Sequence, residues 1–159
     1  MGRYAHMAVF TAMLHDETAG VIEPDGDLGL SMRYELNPGD RAELARGLSL
    51  CARLLFAAGA RRVVVPTYRP RVLTSPAEVD ALAATPIDAQ TLSLTAVHPM
   101  GGVSMGDDPA RAAVDSRGRH HHVRGLYVAD GSLFPTSIGV PPQLSIYAMG
   151  LHVGRAITQ

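Results

Sequence analysis

The sequence predicts an α+β fold, an antiparallel sheet with flanking helices. Three observations predict it. The first third alternates apolar and polar residues with a period of two. Two later stretches carry apolar residues at helical spacing. No regular strand–helix alternation links them, so a parallel sheet is not expected.

The elements follow in order. Residues 6–15, "HMAVFTAMLH", are apolar and partly β-branched and read as a strand. "GVIEP" continues after the "DETAG" turn. "LGLSMRYEL" places Leu28, Leu30, Met32, Tyr34 and Leu36 on alternate positions. These three segments predict an antiparallel meander. The period then changes. Leu44, Leu48, Cys51, Leu55 and Ala58 fall on one helical stripe, with Asn37–Pro38 as the start and Gly59 as the stop. "RRVVVPT" reads as a short strand. "SPAEVDALA" reads as a capping box with Ser75 at the cap, Pro76 at the first helical position and Glu78 at the third. "TLSLTAVH" reads as a strand ending at His98. The run 107–123 is polar and predicts a surface loop. Leu126–Ala129 reads as a strand running into Asp130-Gly131. A last helix opens at Pro141-Pro142. It is apolar nearly all round, which predicts burial on most sides.

Composition narrows the function. The chain has 159 residues, 47% hydrophobic and 18% charged, with a formal net charge of −1. A near-neutral charge gives no pull toward nucleic acid or an anionic membrane surface. No apolar run approaches the roughly 18 residues of a membrane span, and no secretory signal is visible, so a cytoplasmic protein is expected. One cysteine, Cys51, excludes an internal disulfide and a multi-cysteine zinc site, and suits packing within the helix.

The motifs concentrate at 95–106, "TAVHPMGGVSMG". Gly102-Val103-Ser104-Met105-Gly106 is a literal G-x-S-x-G, and Ser104, Asp130 and His152 occur in the order of an α/β-hydrolase triad. A nucleophile elbow needs a strand directly before it and a helix directly after. Pro99, Met100 and Gly101 stand before it, and Asp107, Asp108 and Pro109 after, so Ser104 as a nucleophile is the weaker alternative. His120, His121 and His122 are successive, and successive side chains on an extended backbone diverge, so no metal site is expected there. Asp107, Asp108 and Asp115 read as loop-solvating. His98 stands out: an imidazole titrates near neutral pH, and the following proline and glycine pair let backbone approach a ligand. No G-x-G-x-x-G occurs anywhere in the chain.

"HPMGGVSMG" followed by "VDSRGRHHHVRGLYVADGSLFPTSIGVPPQLSIYAMG" resembles the C-terminal signature of the glucose-methanol-choline (GMC) flavoprotein oxidoreductases. The upstream "YELNPGDRAELARGLSLCARLLFAAGARRV" resembles the segment before that signature, so the likeness spans essentially the whole chain. It implies that residues 1–94 are part of a substrate-binding domain. It implies that 95–159 hold a catalytic loop plus a strand and helix that return to an FAD-binding domain. That N-terminal FAD-binding unit would then be a missing partner, in the same or a separate chain, and the segment alone would be inactive; a non-catalytic interaction domain is the remaining alternative.

The resemblance further implies FAD as cofactor and a small-molecule alcohol as substrate. Hydride would pass from the alcohol to flavin N5, with His98 as general base. Val97, Ala129, Asp130, Pro142, Gln143 and Leu144 match positions along the flavin. The free N–H groups and positive dipole of the last helix's N-terminus suit the charge a reduced flavin carries around N1 and O2. One position departs from the pattern. Pro141 stands where the family usually has a second His or Asn, and proline offers no donor.

Overall fold

Asn37, Pro38 and Asp40 begin the longest helix, α1, Pro38–Ala57, in the computed structural model, which describes residues 4–27, 29–84, 92 and 94–158. The Asn37 side chain accepts from the Asp40 amide at 2.8 Å, which satisfies one of the orphan donors of the first turn. The C-terminus is closed by a Schellman pair, Gly59 N–H to Phe56 O and Ala60 N–H to Leu55 O, both 2.9 Å. Gly59 has φ +91°, which glycine adopts freely. The buried face comprises Leu44, Ala45, Ser49 and Ala52. Leu48 and Leu55 pack beside it as the sequence stripe predicts. Ala58, assigned to the same stripe, is exposed, because the helix ends one residue earlier.

The chain divides into two compact units, Met1–Leu94 and Thr95–Gln159. The first holds two antiparallel pairs. β1, Val21–Asp25, pairs with β2, Gly29–Arg33, in a register that sets Val21 opposite Arg33 and Ile22 opposite Met32. β3, Val63–Val65, pairs with β4, Arg71–Leu73. Residues 6–15 are not a strand. A 3-10 turn occupies Tyr4–His6 and the remainder runs without a ladder. β propensity supplies no hydrogen-bonding partner, and none of the described strands lies along this segment. The predicted meander is therefore a single hairpin.

α2 spans Glu78–Ala83. The capping box forms differently from its expected reading. Ala77 occupies the cap without a side-chain bond, and Glu78 reaches back to the Thr74 amide at 3.2 Å and to the Thr74 hydroxyl at 2.8 Å. Ser75 and Pro76 turn the chain one step before the helix. Ala52, Val63, Val65, Leu73, Val79 and Leu82 form one core of this unit. Leu36, Leu44, Ala45 and Leu92 form another. Asp40 clasps the entering chain to α1. It accepts from the Glu17 amide at 3.1 Å, the Thr18 amide at 3.0 Å and the Thr18 hydroxyl.

The second unit contains α3, Gln143–Ile157, and a 3-10 turn at Gly131–Leu133. Val114, Leu133 and Val153 are its buried centre. Two predicted strands, one spanning the boundary of the units and one within the second, form no ladder among the described residues. Of "TLSLTAVH", residues 91 and 93 lie outside the described residues, Leu92 makes one bridge with Thr67, and 94–98 carry no ladder. Leu126–Ala129 makes a single bridge, Arg119 with Tyr127. Both segments have strand composition, but a strand exists only where a neighbour offers its edge. The last helix is also less covered than its apolar composition predicts. Val153 is buried, whereas Leu144 is 83%, Tyr147 63% and Leu151 58% exposed. One side packs on the unit's own core, and the Leu144–Tyr147–Leu151 stripe is exposed.

Candidate active-site loop

Residues 99–106 run along the 130–135 segment. Val103 N–H donates to Ser132 O at 3.0 Å, and Met105 N–H to Leu133 O at 3.1 Å. Gly101, at φ +82°, turns the loop where a Cβ would stand 3.4 Å from the Pro135 carbonyl oxygen. At Gly131 the backbone comes close on two sides. A Cβ there would meet the Pro99 carbonyl oxygen at 3.5 Å and Ile146 Cδ1, in the first turn of α3, at 3.3 Å. The residue after His98 thus lies beside both the Asp130-Gly131 turn and the start of the last helix.

His98 itself is exposed and sits in a bend, not at a strand end, and Val97 is 71% exposed. Ala129 and Asp130 are exposed. Asp130 caps the 3-10 turn, accepting from the Ser132 hydroxyl at 2.5 Å and the Ser132 amide at 2.8 Å. Those two bonds hold its carboxyl below the usual aspartate range. Pro142 is buried and forms the N-cap of α3; Pro141 before it is exposed. The first bond of the helix runs from Ile146 N–H to Pro142 O, 2.9 Å. The amides of Gln143, Leu144 and Ser145 precede it, so the helix itself supplies them no acceptor. Gln143 and Leu144 are exposed, and Gln143 Nε2 donates to the Tyr147 hydroxyl at 2.7 Å.

The far end of the loop is held by the run 107–123, which is not the simple surface loop its polarity predicts. Val114 in its middle is fully buried. Gly106 N–H donates to Val114 O at 2.9 Å, and the His121 ring meets the Gly106 carbonyl through Nε2 at 2.8 Å. The aspartates organise backbone. Asp107 accepts from the Ser116 amide at 3.0 Å, and that bond lowers its pKa. Burial works against the Asp115 carboxylate. The Arg119 and Arg117 amides and the Arg119 guanidinium outweigh it, and its pKa falls below the ordinary value. Gly118, at φ +74°, closes this turn where a Cβ would lie 2.6 Å from Val128 O and 2.7 Å from Val153 Cγ2. The sequence signal that could have found this one turn, though not buried Val114 or the His121 bond, was Asp115-Ser116-Arg117-Gly118. Aspartate first and glycine fourth is the pattern of a type I turn.

The hydrolase alternative has no constellation behind it. Ser104 Oγ donates to Gly101 O at 3.3 Å. His152 Nε2 meets Ser116 O at 2.9 Å, and Asp130 is taken by Ser132. Among the described residues no hydrogen bond joins these three side chains, as a triad requires. Also among them, no group of three His, Cys, Asp or Glu is placed to hold a metal ion, and no helix is long and apolar enough to cross a membrane.

In the second unit the segment after His98, the Asp130-Gly131 turn and the first turn of α3 thus come together. Residues 17–150 match the family described as GMC oxidoreductase, in its C-terminal region. The chain belongs to that family. It is 37% identical over 155 residues to an uncharacterized GMC-type oxidoreductase of Mycobacterium tuberculosis, covering 96% of this chain and 24% of that protein. A long-chain-alcohol oxidase of Arabidopsis thaliana is 32% identical over 174 residues, covering 100% and 22%. The crystal structure of pyridoxine 4-oxidase from Mesorbium loti superposes with a TM-score of 0.55 at 25% identity, covering 90% of this chain and 28% of that one. The chain thus spans about a quarter of the length of the relatives it matches.

Proposed function

We propose that this chain is the C-terminal part of an FAD-dependent oxidoreductase that acts on the CH–OH group of an alcohol, with His98 as general base. The observation that carries the reading is the approach of Pro99 to Gly131 and Ile146, which brings the His98 loop to the first turn of α3. Membership of the GMC family, and relatives named for alcohol and pyridoxine oxidation, support it.

The residues present fit one part of the cofactor. Three amides that the helix leaves without an acceptor, at Gln143, Leu144 and Ser145, sit at the positive end of a 15-residue helix. That donor set suits the anionic edge of a reduced isoalloxazine. Pro142, Gln143 and Leu144 would hold this edge, with Ala129 and Asp130 along the ribityl chain and Val97 against the ring. Bound, FAD supplies the hydride acceptor at N5. His98 takes the hydroxyl proton, so that the carbonyl forms as the hydride departs. Proline at 141 neither donates a hydrogen bond nor accepts a proton, which leaves the base work to His98. The pyrophosphate has no cradle here, since the sequence lacks G-x-G-x-x-G. A flavin-binding region, in the same or a separate chain, is the partner. Its support is the chain's span of 24% of its relative and the exposed Leu144–Tyr147–Leu151 stripe.

Two measurements test this. Titrating the 159-residue chain with FAD should give no tight stoichiometric binding; a shifted flavin spectrum at one equivalent overturns the need for a partner. In the flavin-loaded assembly, His98→Ala should slow flavin reduction by about 10²-fold or more, the usual worth of a general base. An unchanged rate overturns the assignment of His98.

A further inference from the structure

We propose that His121 is a positioning residue for the loop that carries His98, a role that rests on the reading of His98 as the base. The loop is pinned along one side by the amides of Val103 and Met105, which donate to Ser132 and Leu133. Its far end is pinned twice, by Gly106 N–H on Val114 O and by the His121 ring on Gly106 O at 2.8 Å. The second of these bonds is the only one of the four made by a side chain. A carbonyl oxygen only accepts, so Nε2 of His121 carries the hydrogen.

The chain aims this ring with care. The His121 amide donates to Ala113 O at 3.1 Å, which fixes the backbone of the ring's own residue beside buried Val114. His120 N–H donates to Leu126 O at 2.9 Å. His120 Nδ1 then accepts from both the His122 and Val123 amides at 3.0 Å, which closes the turn directly after His121. The groups around the His121 ring are the Asp107 carboxylate, with which it interacts electrostatically, and the His122 ring, 6.4 Å away between centroids. His122 is exposed and makes no bond to the loop through its ring, so it serves as the control. Three successive histidines thus divide their work. The first shapes a turn, the second holds Gly106, and the third faces solvent.

Nuclear magnetic resonance on the 159-residue chain tests this without flavin or substrate. His121→Met keeps much of the side-chain volume and removes the donor; His121→Gln keeps a donor. In the Met variant, hydrogen exchange at the Met105 and Gly106 amides should accelerate about tenfold, the scale of one lost hydrogen bond. The His98 Cε1–H resonance should move. Both should return toward their original values in the Gln variant, and neither should change in His122→Ala. Unchanged exchange at 105 and 106, an unmoved His98 resonance, or equal acceleration at the Val128 amide across the unit would overturn the proposal. So would failure of Gln to restore what Met removes. Failure of the base assignment shows separately, in the His98→Ala rate.

Discussion

The Pro99 carbonyl oxygen lies 3.5 Å from the point where a Cβ on Gly131 would stand, and Ile146 Cδ1 lies 3.3 Å from the same point. Three sequence-distant pieces meet there: the residue after His98, the Asp-Gly turn and the first turn of α3. The distances allow a graded test. In Gly131→Ala the added carbon meets a flexible isoleucine tip that can give by a few tenths of an ångström. Gly131→Val adds two further methyls against a backbone oxygen. Valine should cost about 1–3 kcal/mol, the usual penalty of overpacking, and alanine distinctly less. Urea denaturation of the two variants checks this; equal stability would mean that the pieces are not in close contact.

How much of this was legible in the sequence depended on how local each signal is. The start and stop of α1 were legible, because Asn37, Pro38 and Gly59 act on backbone groups a few residues away. The Glu78 signal was legible in kind but displaced, since Thr74 and not Ser75 offers the amide. Residues 6–15 and 126–129 misled, because a ladder depends on a distant partner that composition does not encode. α3 misled in a related way. Apolar composition does not say how many sides of a helix are covered, and Leu144, Tyr147 and Leu151 are exposed. At the site, the 95–106 loop stood out in the sequence by its glycines, and the structure brings Pro99 and Ile146 together at Gly131. The 107–123 run did not stand out, because its polarity concealed Val114 and the carboxylates that organise its turns.

Gly118 and Gly125 provide an internal comparison. Both have positive φ, +74° and +79°. A Cβ on Gly125 meets nothing within 4 Å, whereas on Gly118 it meets Val128 O at 2.6 Å and Val153 Cγ2 at 2.7 Å. Gly125→Ala should therefore cost only the left-handed backbone penalty, about 1–2 kcal/mol. Gly118→Ala should cost that and a clash with the backbone of the core, at least about 1 kcal/mol more. The difference between their denaturation midpoints isolates the packing contribution, and midpoints that coincide would contradict it.

Asp40 predicts an acid-sensitive clasp in the first unit. Burial alone would raise its pKa. The Thr18 hydroxyl and the Glu17 and Thr18 amides outweigh burial, and the pKa lies below the ordinary value. A carboxylate depressed in the folded state stabilises the fold fully above its unfolded pKa, about 3.9. That contribution is lost as pH falls below about 4 and through the lower folded value. Amide exchange at Glu17 and Thr18 should accelerate over that range. Asp40→Asn should be less stable at neutral pH and flatten the acid limb. An acid limb as steep as the wild type's would remove Asp40 as its origin.

Pro141 offers the sharpest test of how the proposed site divides its work. It is exposed, it precedes the N-cap of α3, and its ring carries no hydrogen-bond donor. If His98 acts without a second polar group, supplying one should add stabilisation to the alkoxide that develops as the proton leaves. Asparagine offers an amide donor at that position without titrating near neutral pH. Pro142 retains the N-cap, so the helix start and its three leading amides are preserved. In the flavin-loaded assembly, Pro141→Asn should therefore raise the rate of flavin reduction several-fold in single-turnover measurements, while Pro141→Ala, which adds no side-chain donor, should not. If His98→Ala is combined with Pro141→Asn, most of that gain should vanish, because a donor to the alkoxide helps only when a base has taken the proton. A full gain in the absence of His98 would mean that the new amide works on a step in which this imidazole has no part.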